Sequence, residues 1–149
     1  MPNPKKTRPK CPICGKEPVR SFYKYCSNVC QQEYQHRAYI TEWKAGNKHG
    51  INSGGLVSAH IKRFLRNKFG NRCVVCGWSE VNQQTGVVPV VADHIDGNWR
   101  NNDESNLRLL CPNCDSLTAT YSALNKGKGR PNRAVSKRTL EAREINRKV

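Results

Sequence analysis

Apolar residues in this chain come in short bursts separated by polar, glycine-rich or basic stretches, and the spacing within each burst predicts its element. The clearest burst is Ile61, Phe64, Leu65 and Phe69, at i, i+3, i+4 and i+8, one stripe of an amphipathic helix over residues 59–69. Ser58 can cap that helix and Gly70 stops it. Its other face carries Lys62, Arg63, Arg66 and Lys68, which suits a solvated surface or contact with a polyanion. Residues 27–45 also read as a helix ending near Gly46, although Val29, Tyr34 and Ala38 form no regular stripe. Val87 to Ala92 is β-rich but interrupted by Pro89, an edge-strand signature, and Asn106 to Leu110 reads as its partner. Pro112 fits the first turn of a helix running to about Asn125, and Val19 to Tyr25 is a short aromatic hairpin candidate.

Breakers and charge runs divide these elements. Residues 1–10 are rich in Pro, Lys and Arg and read as a disordered basic arm. Residues 11–45 form a first module with its helix. Residues 46–57, with Gly46, Gly50, Gly54 and Gly55, read as a linker. Residues 58–125 form a second domain. The remaining stretch, 126–149, is a basic tail with nine Lys/Arg against Glu141 and Glu144.

Composition changes the picture of what holds these modules together. Only 36% of the 149 residues are hydrophobic and 7% aromatic, too few for a large apolar core. The eight cysteines are the alternative staples. They fall into close pairs, Cys11/Cys14, Cys26/Cys30, Cys73/Cys76 and Cys111/Cys114, and close pairing aims two thiolates at one tetrahedral ion. Two structural zinc sites are expected: Cys11, Cys14, Cys26 and Cys30, then Cys73, Cys76, Cys111 and Cys114. A disulfide framework would ordinarily accompany a secretory signal, and Met1 to Lys10 has no apolar core of that kind. A redox Cys-x-x-Cys would need a thioredoxin-like βαβ setting, which neither pair has.

Charge narrows the partner. The formal net charge is +15. Eight thiolates and two Zn²⁺ change that by −8 and +4, so the chain stays strongly basic. Nucleic acid is the expected partner, and nothing resembles a membrane anchor. Against this basic field, Asp93, Asp96, Asp103 and Asp115 make one acidic focus, since the chain has no aspartate elsewhere. A divalent cation gripped beside a polyanion fits that contrast.

The order Asp93-His94-Ile95-Asp96-Gly97-Asn98, then Asn106-Leu107-Arg108-Leu109-Leu110-Cys111-Pro112-Asn113-Cys114-Asp115, resembles the HNH endonuclease family. The resemblance covers about residues 58–125 and is closest over 92–121. It implies a small zinc-stabilised α+β fold in which a treble-clef-like ββα-metal nuclease domain follows an N-terminal four-cysteine zinc finger and helix. On that resemblance His94 is the general base, Asp93 the adjacent metal ligand, and Asn106 the amide that braces the loop and orients His94. Asp115 stands where the family usually has a histidine; a carboxylate is the harder ligand and suits Mg²⁺ or Mn²⁺. The four-thiolate zinc is coordinatively closed, so the catalytic ion occupies a separate site.

The implied activity is divalent-metal-dependent hydrolysis of DNA phosphodiesters to 5′-phosphate and 3′-hydroxyl ends, by a phage enzyme, of homing type in one version, acting in the bacterial cytoplasm. Arg100, Arg108, Lys126, Lys128 and Arg130 are the candidate DNA contacts. The alternatives are a zinc-finger DNA-binding protein inactive through Asp115, and a nuclease or binding module directed at RNA. The sequence names no protein partner and leaves the role of the first zinc module open.

Overall fold

The computed structural model describes residues 9–125 and Gly127. Ser27 opens the first helix, α1 (Asn28–Lys44), its hydroxyl accepting from the Cys30 N–H at 3.3 Å. The absence of an apolar stripe on α1 has a structural reason: its buried residues are Cys30, His36 and Trp43, and Val29 stays exposed. One end of α1 thus serves a cysteine cluster and the other the hydrophobic core. Ser58 caps α2 (Ala59–Lys68) through the Ile61 N–H at 3.2 Å. The predicted stripe is the one that buries: Ile61 and Leu65 are wholly inside, with Phe64 and Phe69 packed partly against the same cluster.

Strands β1 (Val91–His94) and β2 (Leu107–Leu110) form an antiparallel pair in the register Val91–Leu110, Ala92–Leu109, Asp93–Arg108 and His94–Leu107. The first strand begins later than the apolar run predicts. Pro89 cannot donate to a ladder, and the Val90 N–H turns back to the Val88 carbonyl at 2.8 Å. The carbonyls of Val88 and Val90 are taken by the Arg66 guanidinium, at 3.1 and 3.4 Å. Both valines are nonetheless buried, so this stretch contributes to the core as a packed bend.

The helix expected from Pro112 to about Asn125 is much shorter. It forms α3 (Pro112–Ser116), followed by turns and a single 3₁₀ turn at Ser122–Leu124. The Ser116 and Thr118 hydroxyls bond back to the carbonyls of Asn113 and Asp115, Ser122 takes φ +48°, and Leu117 is exposed, so no apolar face rewards continuing. The aromatic segment 19–25 makes a turn closed by Tyr23 N–H to the Arg20 carbonyl, without strands.

The glycine-rich stretch 46–57, expected to be a linker, is largely exposed but anchored at two points. Ile51 and Val57 form a β-bridge, and Gly50 and Val57 are buried. Gly50 has φ +75°, and a Cβ there would stand 2.6 Å from Ile61 Cδ1 and 2.9 Å from Asn102 Cβ. Trp43, Val57, Ile61, Leu65, Leu107 and Leu109 therefore belong to one core, which draws α1 into the same body as the strands. Among the described residues no helix is long and apolar enough to cross a membrane.

Candidate active site

Two cysteine clusters frame the molecule, and their chemistry fits a bound metal. The first loop of each is built alike: the N–H of Gly15 returns to the Cys11 carbonyl and that of Gly77 to the Cys73 carbonyl, both at 2.9 Å. Both glycines hold positive φ, +72° and +75°, which a side chain would resist. Four sulfurs bound to one zinc ion lie about 3.8 Å apart. Cys14, Cys26 and Cys30 are separated by 3.3 to 3.7 Å, and Cys76 and Cys111 by 3.7 Å. A disulfide requires about 2.05 Å. Within each four-cysteine group, Cys11/14/26/30 and Cys73/76/111/114, the ligand atoms lie within 4.8 Å of one another.

Proton affinities in the clusters point the same way. Burial opposes ionisation of Cys11 and Cys73, yet backbone N–H groups outweigh it and bring each to about 6. Neighbouring thiols push Cys26 and Cys114 up to about 12. Four crowded sulfurs resist ionising together, and a divalent ion offsets that repulsion.

Between β1 and β2 the chain makes a loop of short polar residues that bond to one another. Asn106, buried at its end, donates to Asp96 Oδ1 at 2.9 Å and to the Asn101 carbonyl at 2.8 Å, and its own Oδ1 accepts from the Asp96 N–H at 3.1 Å. Asp96 also accepts from the Asn98 N–H and the Asn101 amide, both at 2.8 Å. Burial pushes the Asp96 carboxyl up, but these donors prevail and hold it below the usual carboxylate range. Asn106 therefore braces the loop, and among the described residues its side chain makes no hydrogen bond to His94.

Asn102 makes that contact. Its Oδ1 lies 3.0 Å from His94 Nε2, while its Nδ2 donates to the carbonyls of Trp99 and Arg100 at 3.2 and 3.3 Å. With the amide nitrogen committed to two acceptors, Oδ1 accepts, so Nε2 carries the hydrogen and the Nδ1 lone pair is the basic one. The Asn102 carbonyl in turn accepts from Trp43 Nε1 at 2.9 Å, fixing the residue against α1. Asn102 is 4% exposed. In sequence it is one asparagine beside Asn101, and only the loop geometry distinguishes them.

Asp93 precedes His94 on β1. Its carboxylate accepts from Arg108 Nε at 2.7 Å, across the register. Burial raises the Asp115 carboxyl, the Asp93 charge raises it further, and Arg108 works against both. One guanidinium thus faces two carboxylates, leaving an excess negative charge. Oxygen donors with such an excess suit a hard divalent cation.

Asp93 and His94 line a cleft of about 1170 Å³, with Lys62 of α2, Trp99 and Asn125 also on its walls. Asn125 is held by its amide to the Gly97 carbonyl at 2.7 Å. Of the expected DNA contacts, Arg108 is engaged by Asp93, while Arg100 is exposed and lies over the Trp99 ring at 5.2 Å. Lys126, Lys128 and Arg130 fall outside the described residues. The cations of α2 separate clearly: Arg63 pairs with Glu33, Lys68 with Glu104, and Arg66 with Asn71 and two carbonyls. Lys62 has no ion pair among the described residues.

No family model matches the chain, and no solved structure matches it. Among curated proteins it is similar to the H-N-H endonuclease F-TflIV of Escherichia phage T5, with 32% identity over 94 residues. The matched region is 62% of this chain and 40% of that protein, so the chain spans well under two thirds of its relative's length.

Proposed function

We propose that the chain is a divalent-metal-dependent DNA endonuclease of HNH type, in which β1, β2 and α3 form the ββα-metal unit and the eight cysteines hold two structural zinc ions. The observation that carries this is His94, tied through Nε2 to Asn102 and sharing a cleft of a basic chain with Asp93, whose charge is felt by Asp115. The similarity to an H-N-H endonuclease of phage T5 supports it.

In this reading His94 Nδ1 takes a proton from the water that attacks the phosphorus in line, and the bond to the 3′-oxygen breaks, leaving 5′-phosphate and 3′-hydroxyl ends. Asn102 keeps the ring in the required tautomer, and the Asn106–Asp96 bonds keep the loop closed around it. A Mg²⁺ or Mn²⁺ ion held by Asp93 and Asp115 supplies, when bound, Lewis acidity for the phosphate and the leaving oxygen. Lys62 offers a free ammonium to a neighbouring phosphate. The setting is a bacterial cytoplasm holding a phage-encoded enzyme.

One observation favours the rival reading, a DNA-binding protein without activity: Arg108 already neutralises Asp93. Incubation of supercoiled plasmid with the zinc-loaded protein and Mg²⁺ or Mn²⁺ separates the two. Nicked or linear DNA with 5′-phosphate ends is expected, lost in His94→Ala while zinc content and DNA affinity persist. Asn102→Ala should cut about ten- to a hundredfold more slowly, as when other orienting partners of a site are removed. Plasmid left supercoiled under every metal overturns the enzyme reading, and preferential cutting of RNA in competition overturns the choice of substrate.

A further inference from the structure

The first cysteine module exposes an aromatic surface that the cleft does not use. Phe22 is 73% exposed and Tyr23 47%, with Val19 beside them at 82%. Monomeric chains seldom place several large apolar side chains on one surface turn without a partner. The turn is closed by the Tyr23 N–H on the Arg20 carbonyl at 3.0 Å and is followed three residues later by Cys26 of the cluster. The two rings meet edge to face, centroids 4.8 Å apart, so neither ring covers more than one face of the other, and both stay substantially exposed.

The charge around these rings selects the partner. Arg20 lies 5.9 Å from the Phe22 centroid, and Lys24 lies 4.3 Å from that of Tyr34 and 5.5 Å from that of Tyr25. Among residues 9–27 the acids amount to Glu17, against Lys10, Lys16, Arg20 and Lys24. An apolar ring face within a cationic border complements a nucleobase face with phosphates on either side. A fully stacked duplex hides base faces, so the complementary form is DNA with one face uncovered, at a gap, mismatch or opened step.

We propose that the first zinc module is a DNA-stacking platform, in which Phe22, supported by Tyr23, covers an exposed base while Arg20 and Lys24 hold the adjoining phosphates. The proposal rests on DNA being the substrate of the cleft, and it gives the module the task of engaging distorted DNA at a distance from His94.

The test uses the full zinc-loaded chain carrying His94→Ala, so that binding is read without cutting. The probes are a fully paired duplex and the same duplex with a one-nucleotide gap facing 2-aminopurine. Phe22→Ala and Phe22→Leu should each weaken binding to the gapped duplex about tenfold and abolish quenching of the 2-aminopurine, with a smaller loss on the paired duplex. Phe22→Trp should retain both. Arg20→Ala should weaken both probes and flatten the salt dependence. If Phe22→Leu binds and quenches as the parent does, stacking is refuted. If Phe22 variants leave DNA affinity unchanged altogether, the surface serves another partner and the proposal falls. Cutting is scored separately in chains with His94 intact. Inert plasmid with Phe22-dependent quenching rejects the enzyme reading alone, and cutting without that quenching rejects the platform alone.

Discussion

Asp115 is a side chain whose ionisation works against the cation-free fold, while the proposed mechanism makes it a metal ligand. Burial and the Asp93 charge raise its carboxyl above the ordinary 3.8. A carboxyl so raised adds stability below its ordinary value and loses that contribution as pH rises through the raised one. At neutral pH the ionised Asp115 is therefore a burden on the cation-free protein. Asp115→Asn should melt higher than the parent at neutral pH without added Mg²⁺ or Mn²⁺, and the gap should narrow as pH falls. The same variant should lose at least about tenfold of its Mg²⁺-dependent cutting, because the pair that holds the cation is broken. An unchanged melting temperature with unchanged cutting would remove Asp115 from the site. The proposed roles of His94, Asp93 and Asn106 are drawn from sequence because their order and spacing are distinctive. That of Asn102 is not, since its value comes from where Trp43 and the loop carbonyls place it.

Between elements, Glu104 is the joint. Its two oxygens accept from Lys44 of α1 and Lys68 of α2, at 2.9 and 2.7 Å, from a 3₁₀ turn at the base of β2. Lys68 first and Lys44 second hold its carboxyl below the ordinary 4.5. The stability it gives is present above 4.5 and is lost as pH falls through the lowered value. The carboxylate is one-third exposed, so water and salt screen it, and each pair contributes well under about 1 kcal/mol. Glu104→Gln should lower the melting temperature by a few degrees at neutral pH and low salt, and by less in about 1 M salt. No loss at low salt would show that the joint is held by packing alone. The helices and their caps follow from sequence because Ser58 and the Ile61–Phe69 stripe agree. The β1 start and the end of α3 do not, because Arg66 takes the carbonyls of Val88 and Val90 and the hydroxyls of Ser116 and Thr118 compete with the helix.

As a whole the molecule has a small core, centred on Trp43, Ile61, Leu65, Leu107 and Leu109, with one cysteine cluster ahead of it in sequence and the two pairs of the other flanking Leu107 and Leu109. A core of this size needs staples. Strong chelation should abolish cooperative melting and restore it on adding Zn²⁺, whereas a phosphine reductant alone should leave the melt unchanged. Loss of structure with reductant alone would make disulfides the staples. The cysteine spacing makes this arrangement legible from sequence; the burial of Gly50 and Val57 does not show there, because a glycine-rich stretch reads as flexible until its neighbours are known.

Trp43 donates to the carbonyl of Asn102, 59 positions later, and Asn102 holds His94. A ribosome delivers the histidine before the residue that orients it, and delivers Cys111 and Cys114 later still. A nascent chain therefore carries His94 before its hydrogen-bond partner and the cleft before its frame. On the proposed activity, that order of synthesis withholds the chemistry until the second cysteine pair has been made.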